Sequence, residues 1–325
     1  MSKPKVFITR KIFPEWIDEI RSVADVELWE DELPPSRDIL LEKSRGIDGI
    51  LCLLTDKIDS EFLDIAGSQL KVISQIAVGF DNIDIPEATK RGIPVGNTPD
   101  VLTATTADAT WSLLMAAARR VTESERFVRR GDWKTWHPLH FLGQDIHSAT
   151  IGIIGMGRIG YEVAKRAQGF GMKILYYDTN RRKDLEEKID IKFVDLDTVL
   201  TDSDYVSLHT VLSDETFHLI GENEFKKMKK TSILVNAARG PVVDSKALCN
   251  ALENGDIWAA GLDVTDPEPI SKDDPLLKLE NCVIVPHIAS ATVKTRFEMS
   301  RISAQNLING IQGEPLVTCV NPEVY

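Results

Sequence analysis

Short apolar runs alternate with amphipathic stretches along almost the whole chain. Lys5–Thr9 reads as a buried strand, and Pro14–Ala24 as a helix with Trp16, Ile17 and Ile20 on one face. Ser36 is placed to cap a helix carrying Ile39, Leu40 and Leu41. Gly49–Leu54 and Leu70–Ala77 supply further strands, Ser60–Gly67 and Ile83–Arg91 further helices, and Pro94–Gly96 a short fourth strand. Alternation of this kind predicts βαβ units and a parallel sheet covered by helices.

After Pro99 the period changes. Thr103–Arg120 predicts one long helix, and a second follows to Arg130. Gly131–Ser148 carries Trp133, Trp136, His137 and Pro138 without a clear period, and reads as an ordered loop whose aromatics are buried. From Ala149 the alternation resumes, with strands near 149–155, 173–178, 191–194, 205–210, 232–237, 259–264 and 282–286. A last helix covers 292–310, and Gly313–Pro315 ends it. The pattern predicts an α/β protein of two units, one on each side of residue 100, and leaves the last helix unassigned.

Composition agrees with that count. At about 150 residues per domain, 325 residues make two domains. With 43% hydrophobic and 27% charged residues, the chain can bury a sizeable core. Its formal net charge of −12 repels polyanions, so neither nucleic acid nor an anionic membrane is expected as a partner. Nowhere do about 18 apolar residues run without a charge, so no membrane span is expected. The N-terminus becomes charged too early for a signal peptide. Cys52, Cys249, Cys282 and Cys319 stand far apart, with neither zinc-ligand nor disulfide spacing, which points to free thiols, no metal and a cytoplasmic location.

The chemistry begins at Gly155-Met-Gly157-Arg158-Ile159-Gly160, which an apolar strand enters and a helix leaves. Gly155 permits a tight turn, Gly157 lets the backbone approach a pyrophosphate, and Gly160 allows close helix–strand packing. The helix N-terminus then offers N–H groups to phosphate oxygens. Three spaced glycines can be a plain turn, but the strand–turn–helix setting favours dinucleotide binding. The next strand ends in Asp178, an acceptor for ribose hydroxyls that repels a 2′-phosphate, which favours NAD. Arg181 and Arg182 follow and could pair with that phosphate, so NADP stays open; their plainer reading is a solvated basic turn.

Ligands of such sheets sit outside the carboxyl ends of the strands. Those ends carry Asn236-Ala237-Ala-Arg239-Gly240, then Asp263, Asp266 and Glu268, then Pro286-His287. Reduction of a 2-oxo acid needs such a set. An arginine forks onto the carboxylate, a charged histidine gives its proton to the carbonyl oxygen, and a carboxylate orients that histidine. Taken singly, Arg239 could be a helix–loop bridge, Glu268 a solvated charge and His287 a structural ring. As a set beside a dinucleotide turn they read as chemistry.

These residues resemble the D-isomer-specific 2-hydroxyacid dehydrogenase family, and the resemblance spans essentially the whole chain. It rests on Val78-Gly79-Phe80-Asp81-Asn82, Asn97-Thr98-Pro99, Gly155–Gly160, Asn236–Gly240, Gly261-Leu-Asp263-Val and Pro286-His287-Ile. Leu51-Cys-Leu-Leu54, Trp133-x-x-Trp136, Val264-Thr-Asp-Pro-Glu268-Pro and Gly313-Glu-Pro look like its glyoxylate/hydroxypyruvate reductase branch. The resemblance implies Arg239, Glu268 and His287 as a catalytic triad, and two Rossmann-like domains. The substrate domain is then discontinuous (1–100 plus 288–325), with 101–287 as the NAD(P)-binding domain. It also implies that Val78 and Gly79 hold the substrate carboxylate through backbone groups, with Leu54, Ser290 and Trp136 as further substrate contacts. Asp263 is assigned to the nicotinamide amide, and Arg158, Ile159, Val211 and Ala237 join the glycines, Asp178 and Arg181 around the cofactor. A homodimer is implied, with Trp136 reaching the neighbouring subunit's pocket; simple loop packing is the alternative for that tryptophan.

Two departures stand out. Val211 occupies a stretch where the family often has proline. Asp178 is an acid where the better-known animal enzyme of the branch, which uses NADP, has none. Glu268 disfavours a formate dehydrogenase, and the short tail disfavours a phosphoglycerate dehydrogenase with a regulatory extension. A D-lactate or short phosphoglycerate enzyme remains an alternative, as does a dinucleotide-binding scaffold like the C-terminal-binding-protein corepressors.

Overall fold

The computed structural model describes residues 3–325. In chain order, β1 (Lys5–Ile8), α1 (Pro14–Val23), β2 (Asp25–Leu28), α2 (Arg37–Lys43), β3 (Gly49–Cys52), α3 (Ser60–Ala66), β4 (Val72–Gln75), α4 (Ile85–Lys90) and β5 (Val95–Gly96) come first. Two helices follow, α5 (Thr103–Ala118) and α6 (Val121–Arg129). Then come β6 (Thr150–Ile154), α7 (Arg158–Gly169), β7 (Lys173–Tyr177), α8 (Lys183–Glu186), β8 (Lys192–Phe193), α9 (Leu196–Asp202) and β9 (Tyr205–Leu208). The chain ends with α10 (Glu222–Lys227), β10 (Ile233–Asn236), α11 (Ser245–Asn254), β11 (Ala259–Leu262), β12 (Cys282–Ile284) and α12 (Val293–Gln312).

These elements form two compact units, Met1–Leu102 with Thr292–Tyr325, and Thr103–Ala291. The first holds a parallel five-stranded sheet in the order β2-β1-β3-β4-β5. Strands β3 and β4 are buried along their whole length, so the sheet is covered on both faces. The last helix belongs to this unit: α12 packs on β3 and β4, and Ser74 Oγ donates to Ser303 O at 2.7 Å. Thr292 caps its start and Gly313, in the left-handed region, closes its end.

The second unit holds a parallel seven-stranded sheet, β12-β11-β10-β9-β6-β7-β8. Alternate residues feed two cores, as the period of a strand requires. Ile153, Tyr205 and Val235 face a core with Trp111, Leu114 and Val163 from the long helices. Ile154, Val206 and Leu234 face one with Leu200, Phe225 and Leu248. Strand order reverses between β6 and β9, the position at which such sheets open a ligand crevice.

Two expectations are corrected by the structure. The edge strand β2 is absent from the sequence reading, because its four residues alternate exposed and half-buried and carry two acids. The segment Gly131–Ser148 does not bury its aromatics: Trp133 is 63% and Trp136 77% exposed, and α6 before it has no buried residue. Within the second unit, the amides of Ile288 and Ala289 are bonded to Asp263. The four cysteines are free thiols. Among the described residues, no helix is long and apolar enough to cross a membrane.

Glycines report how tightly α12 is seated. A Cβ on Gly310 would lie 2.4 Å from Val72 Cβ, whereas one on Gly169 would meet nothing within 4 Å. Gly310→Ala is expected to cost about 1–3 kcal/mol of stability through overpacking. Gly169→Ala should be neutral or slightly stabilising. Denaturant melts of the two variants check this, and equal effects would contradict the packing account.

Candidate active site

The second unit gathers its polar residues at the carboxyl ends of adjacent strands. After β10, Asn236 shapes the turn: its Oδ1 accepts from Ala238 N at 3.0 Å and its Nδ2 donates to Arg239 O at 2.9 Å. Arg239 Nη1 donates to Ala238 O at 2.8 Å, and the side chain is half-buried. Gly240 is obligatory there, since a Cβ would sit 1.8 Å from Thr265 O. After β11 comes the loop bearing Glu268, and after β12 comes His287.

His287 and Glu268 are joined by a 2.6 Å contact between Nδ1 and Oε1. A carboxylate only accepts, so Nδ1 carries the proton and Nε2 is left for exchange with a ligand. The histidine sits in the left-handed region at φ +52°, an unfavourable conformation for a side chain with a Cβ. Asp263 holds it there. His287 N donates to Asp263 O at 2.9 Å, while the Asp263 carboxylate accepts from Ile288 N at 2.7 Å and Ala289 N at 3.1 Å. Asp263 is 2% exposed, and burial raises its pKa against the pull of those two amides. Ser290, half-buried, ends this loop.

The glycine turn lies at the strand-order reversal. Gly155, at φ +94°, presses on the end of β9: a Cβ there would fall 2.6 Å from the carbonyl carbon of His209. Gly160 packs on the turn itself, with room for no Cβ, since one would lie 2.2 Å from Gly155 O. Gly157 differs, as its Cβ position has nothing within 4 Å. It precedes α7 without a side-chain cap, and Arg158 and Ile159 begin the helix. An open glycine ahead of an uncapped helix N-terminus is the arrangement a pyrophosphate fits. The residues present therefore suit a dinucleotide.

Asp178 ends β7 beside the turn, with Oδ2 accepting from Met156 N at 2.7 Å and Oδ1 from Asn180 N at 3.1 Å. Oδ1 also accepts from Thr179 Oγ1 at 3.3 Å, so it is Oδ2 that keeps a lone pair for a ribose hydroxyl. Of the two arginines that follow, Arg181 turns away to Glu186 at 2.8 Å. Arg182 is the one at the turn, its Nη1 donating to Met156 O at 3.0 Å. Ala237 lies half-buried after β10, and Val211 is exposed after β9. His209, which motif reading passed over, lies half-buried under the turn with its Nδ1 shielded from solvent and Nε2 at 2.8 Å from Ser207 Oγ. Burial lowers its pKa to about 3, so it stays neutral. Its only sequence signal is a polar residue ending an apolar strand.

In the other unit, the loops after β3 and β4 carry Leu54, Val78 and Gly79, all half-buried.

The family model for the D-isomer specific 2-hydroxyacid dehydrogenase, NAD binding domain, matches residues 111–289. The chain belongs to the D-isomer-specific 2-hydroxyacid dehydrogenases. This dehydrogenase is 53% identical over 323 residues to a glyoxylate reductase of Korarchaeum cryptofilum, covering 99% of this chain and 97% of that one. The crystal structure of a glyoxylate reductase from Paecilomyes thermophila is 34% identical, covers both chains fully (100% each) and superposes with a TM-score of 0.87. An NADPH-dependent glyoxylate/hydroxypyruvate reductase from Sinorhizobium meliloti, solved with NADP and malonate, is 30% identical over 99% of this chain and 98% of that one, with a TM-score of 0.86. The fold, two parallel-sheet α/β units, and the use of NAD(P) follow from membership.

Gly157 and Gly160 separate binding from folding. Gly157→Ala should weaken NADH binding at least about tenfold with an unchanged melting temperature, since only a bound pyrophosphate meets the new methyl. Gly160→Ala should lose both. Calorimetric titration and thermal melts test the pair, and full NADH affinity in Gly157→Ala contradicts the assignment.

Proposed function

We propose that this dehydrogenase reduces glyoxylate and hydroxypyruvate with NAD(P)H, giving glycolate and D-glycerate. The observation that carries the reading is the Glu268–His287 pair at 2.6 Å on the same sheet edge as the glycine turn. Relatives named glyoxylate reductase at 53% and 51% identity support the substrate class.

When bound, NAD(P)H supplies a hydride to the carbonyl carbon of the acid. The protein supplies the rest. His287 Nε2 delivers a proton to the carbonyl oxygen, and Glu268 keeps the ring in the orientation and tautomer that delivery needs. Arg239 forks onto the substrate carboxylate, a bidentate contact that also draws a small anion to an acidic protein. The N–H groups of Val78 and Gly79 hold the same carboxylate, with Leu54 and Ser290 as further contacts. Asp263 reaches the nicotinamide amide while bracing the His287 loop. The unit Thr103–Ala291 serves as the cofactor domain and the other as the substrate domain.

NAD is the preferred cofactor in this reading, because the Asp178 carboxylate opposes a 2′-phosphate and Arg182 spends Nε and Nη2 on Asp184, at 2.9 and 2.8 Å. The active form is a cytoplasmic homodimer. Val121, Val128, Trp133, Trp136, Leu139 and Leu142 are all exposed in the single chain, an apolar set that a second copy would cover. Trp136 of one copy then serves the other's substrate pocket.

Three measurements test these assignments. His287→Ala should lower kcat by about 10²–10⁴-fold while binding NADH normally, and wild-type turnover in that variant removes the proposed acid. The same assay with glyoxylate, hydroxypyruvate and pyruvate, each with NADH and NADPH, should favour the first two acids and NADH; a greater than roughly tenfold NADPH preference contradicts the role of Asp178. Light scattering should return twice the chain mass, and a monomer with full activity defeats the dimer.

A further inference from the structure

Around Val78 and Gly79, three successive peptide carbonyls are held by groups of their own unit. Ala77 O accepts from Thr98 N at 2.8 Å, Val78 O from Asn97 Nδ2 at 2.9 Å, and Gly79 O from Gln75 Nε2 at 2.6 Å. A trans peptide is planar, with its N–H pointing opposite to its C=O. Each contact therefore fixes where the next N–H points, that of Val78, Gly79 and Phe80 in turn. Among the described residues none of these three N–H groups donates to the protein. N–H groups aimed in advance and left for a ligand are what an anion binds best.

Gln75 is the least expected member of this set. It ends β4 with 0% exposure, a carboxamide at the end of a strand buried along its whole length. Its amide faces that of Asn82 in a reciprocal pair: Gln75 Nε2 donates to Asn82 Oδ1 at 2.7 Å, and Asn82 Nδ2 donates to Gln75 Oε1 at 2.9 Å. The bonds left over run outward in two directions. Gln75 holds Gly79 O, while Asn82 Nδ2 donates to Leu53 O at 3.0 Å and Asp56 O at 2.8 Å. The pair thus ties the loop of Val78 and Gly79 to the loop of Leu54. A second brace sits behind the latter, where the buried Asp56 carboxylate accepts from Leu53 N at 2.8 Å and Thr9 Oγ1 at 2.5 Å.

We infer that Gln75 is a positioning residue for the substrate carboxylate, acting through the Gln75–Asn82 amide pair on the peptide planes of the Val78–Gly79 loop. The inference rests on the function proposed above. A buried amide pair could instead serve stability alone, and the two roles separate kinetically. Gln75→Met keeps the length without the amide's hydrogen bonds to Gly79 and Asn82. Gln75→Glu keeps the size and an acceptor for Asn82 but loses the donor to Gly79.

The experiment is steady-state reduction of glyoxylate at saturating NADH by both variants, with oxamate as a competing carboxylate and NADH affinity measured separately. KM for glyoxylate and Ki for oxamate are expected to rise together by about tenfold, roughly what one lost hydrogen bond brings, with kcat changed less than about threefold. NADH affinity should not move. KM and Ki do not depend on how much of a preparation is folded, so partial misfolding cannot mimic this result. Unchanged KM and Ki with a lowered melting temperature overturn the inference and leave the function standing. Absence of 2-oxo acid reduction by the wild-type enzyme overturns both.

Discussion

One buried carboxylate holds the reactive edge of this protein together. Asp263 receives the amides of Ile288 and Ala289 on its two oxygens, and its own carbonyl receives the amide of His287. Those three bonds fix a left-handed histidine that has no reason to adopt that conformation by itself. With the backbone set, the ring meets Glu268 at 2.6 Å. Ionising a buried carboxylate is costly, and the amides that offset the cost are those of the loop it must hold. Charge, burial and loop geometry thus depend on one another, and the proposed proton donor depends on all three.

The same economy recurs at the other sites. The glycine turn works because three glycines meet three different demands: Gly155 yields to the backbone of His209, Gly160 yields to Gly155, and Gly157 yields to nothing in the chain. The loops of Leu54 and of Val78 and Gly79 are shaped by side chains that no ligand need touch, namely Gln75, Asn82, Asn97 and Asp56. In each case a strand delivers the loop, and a buried polar group decides which way its backbone faces.

Much of the fold was legible because buried parallel strands leave unbroken apolar runs, as at Gly49–Leu54 and Leu70–Ala77. The glycine turn was legible because its spacing encodes a physical requirement. The edge strand β2 was not, because four half-exposed residues carry no such run. The exposure of Trp133 and Trp136 ran against intuition, since aromatic content speaks of burial without saying in which molecule. Arg181 and Arg182 are adjacent in sequence, and only the fold tells which meets Glu186 and which meets the turn. Bracing residues are the hardest to see. Gln75 and Asp263 act through backbone groups, and a hydrogen bond to a carbonyl leaves no spacing rule behind.

We propose that Asp263, His287 and Glu268 act as one unit in which the buried carboxylate makes the histidine competent. A double-mutant cycle on kcat for glyoxylate reduction, with Asp263→Ala, His287→Ala and the double variant, measures that coupling. Each single change is expected to cost nearly as much as the other, and the double change no more than the worse of the two. Losses that simply multiply would show that Asp263 and His287 act independently, and would contradict it.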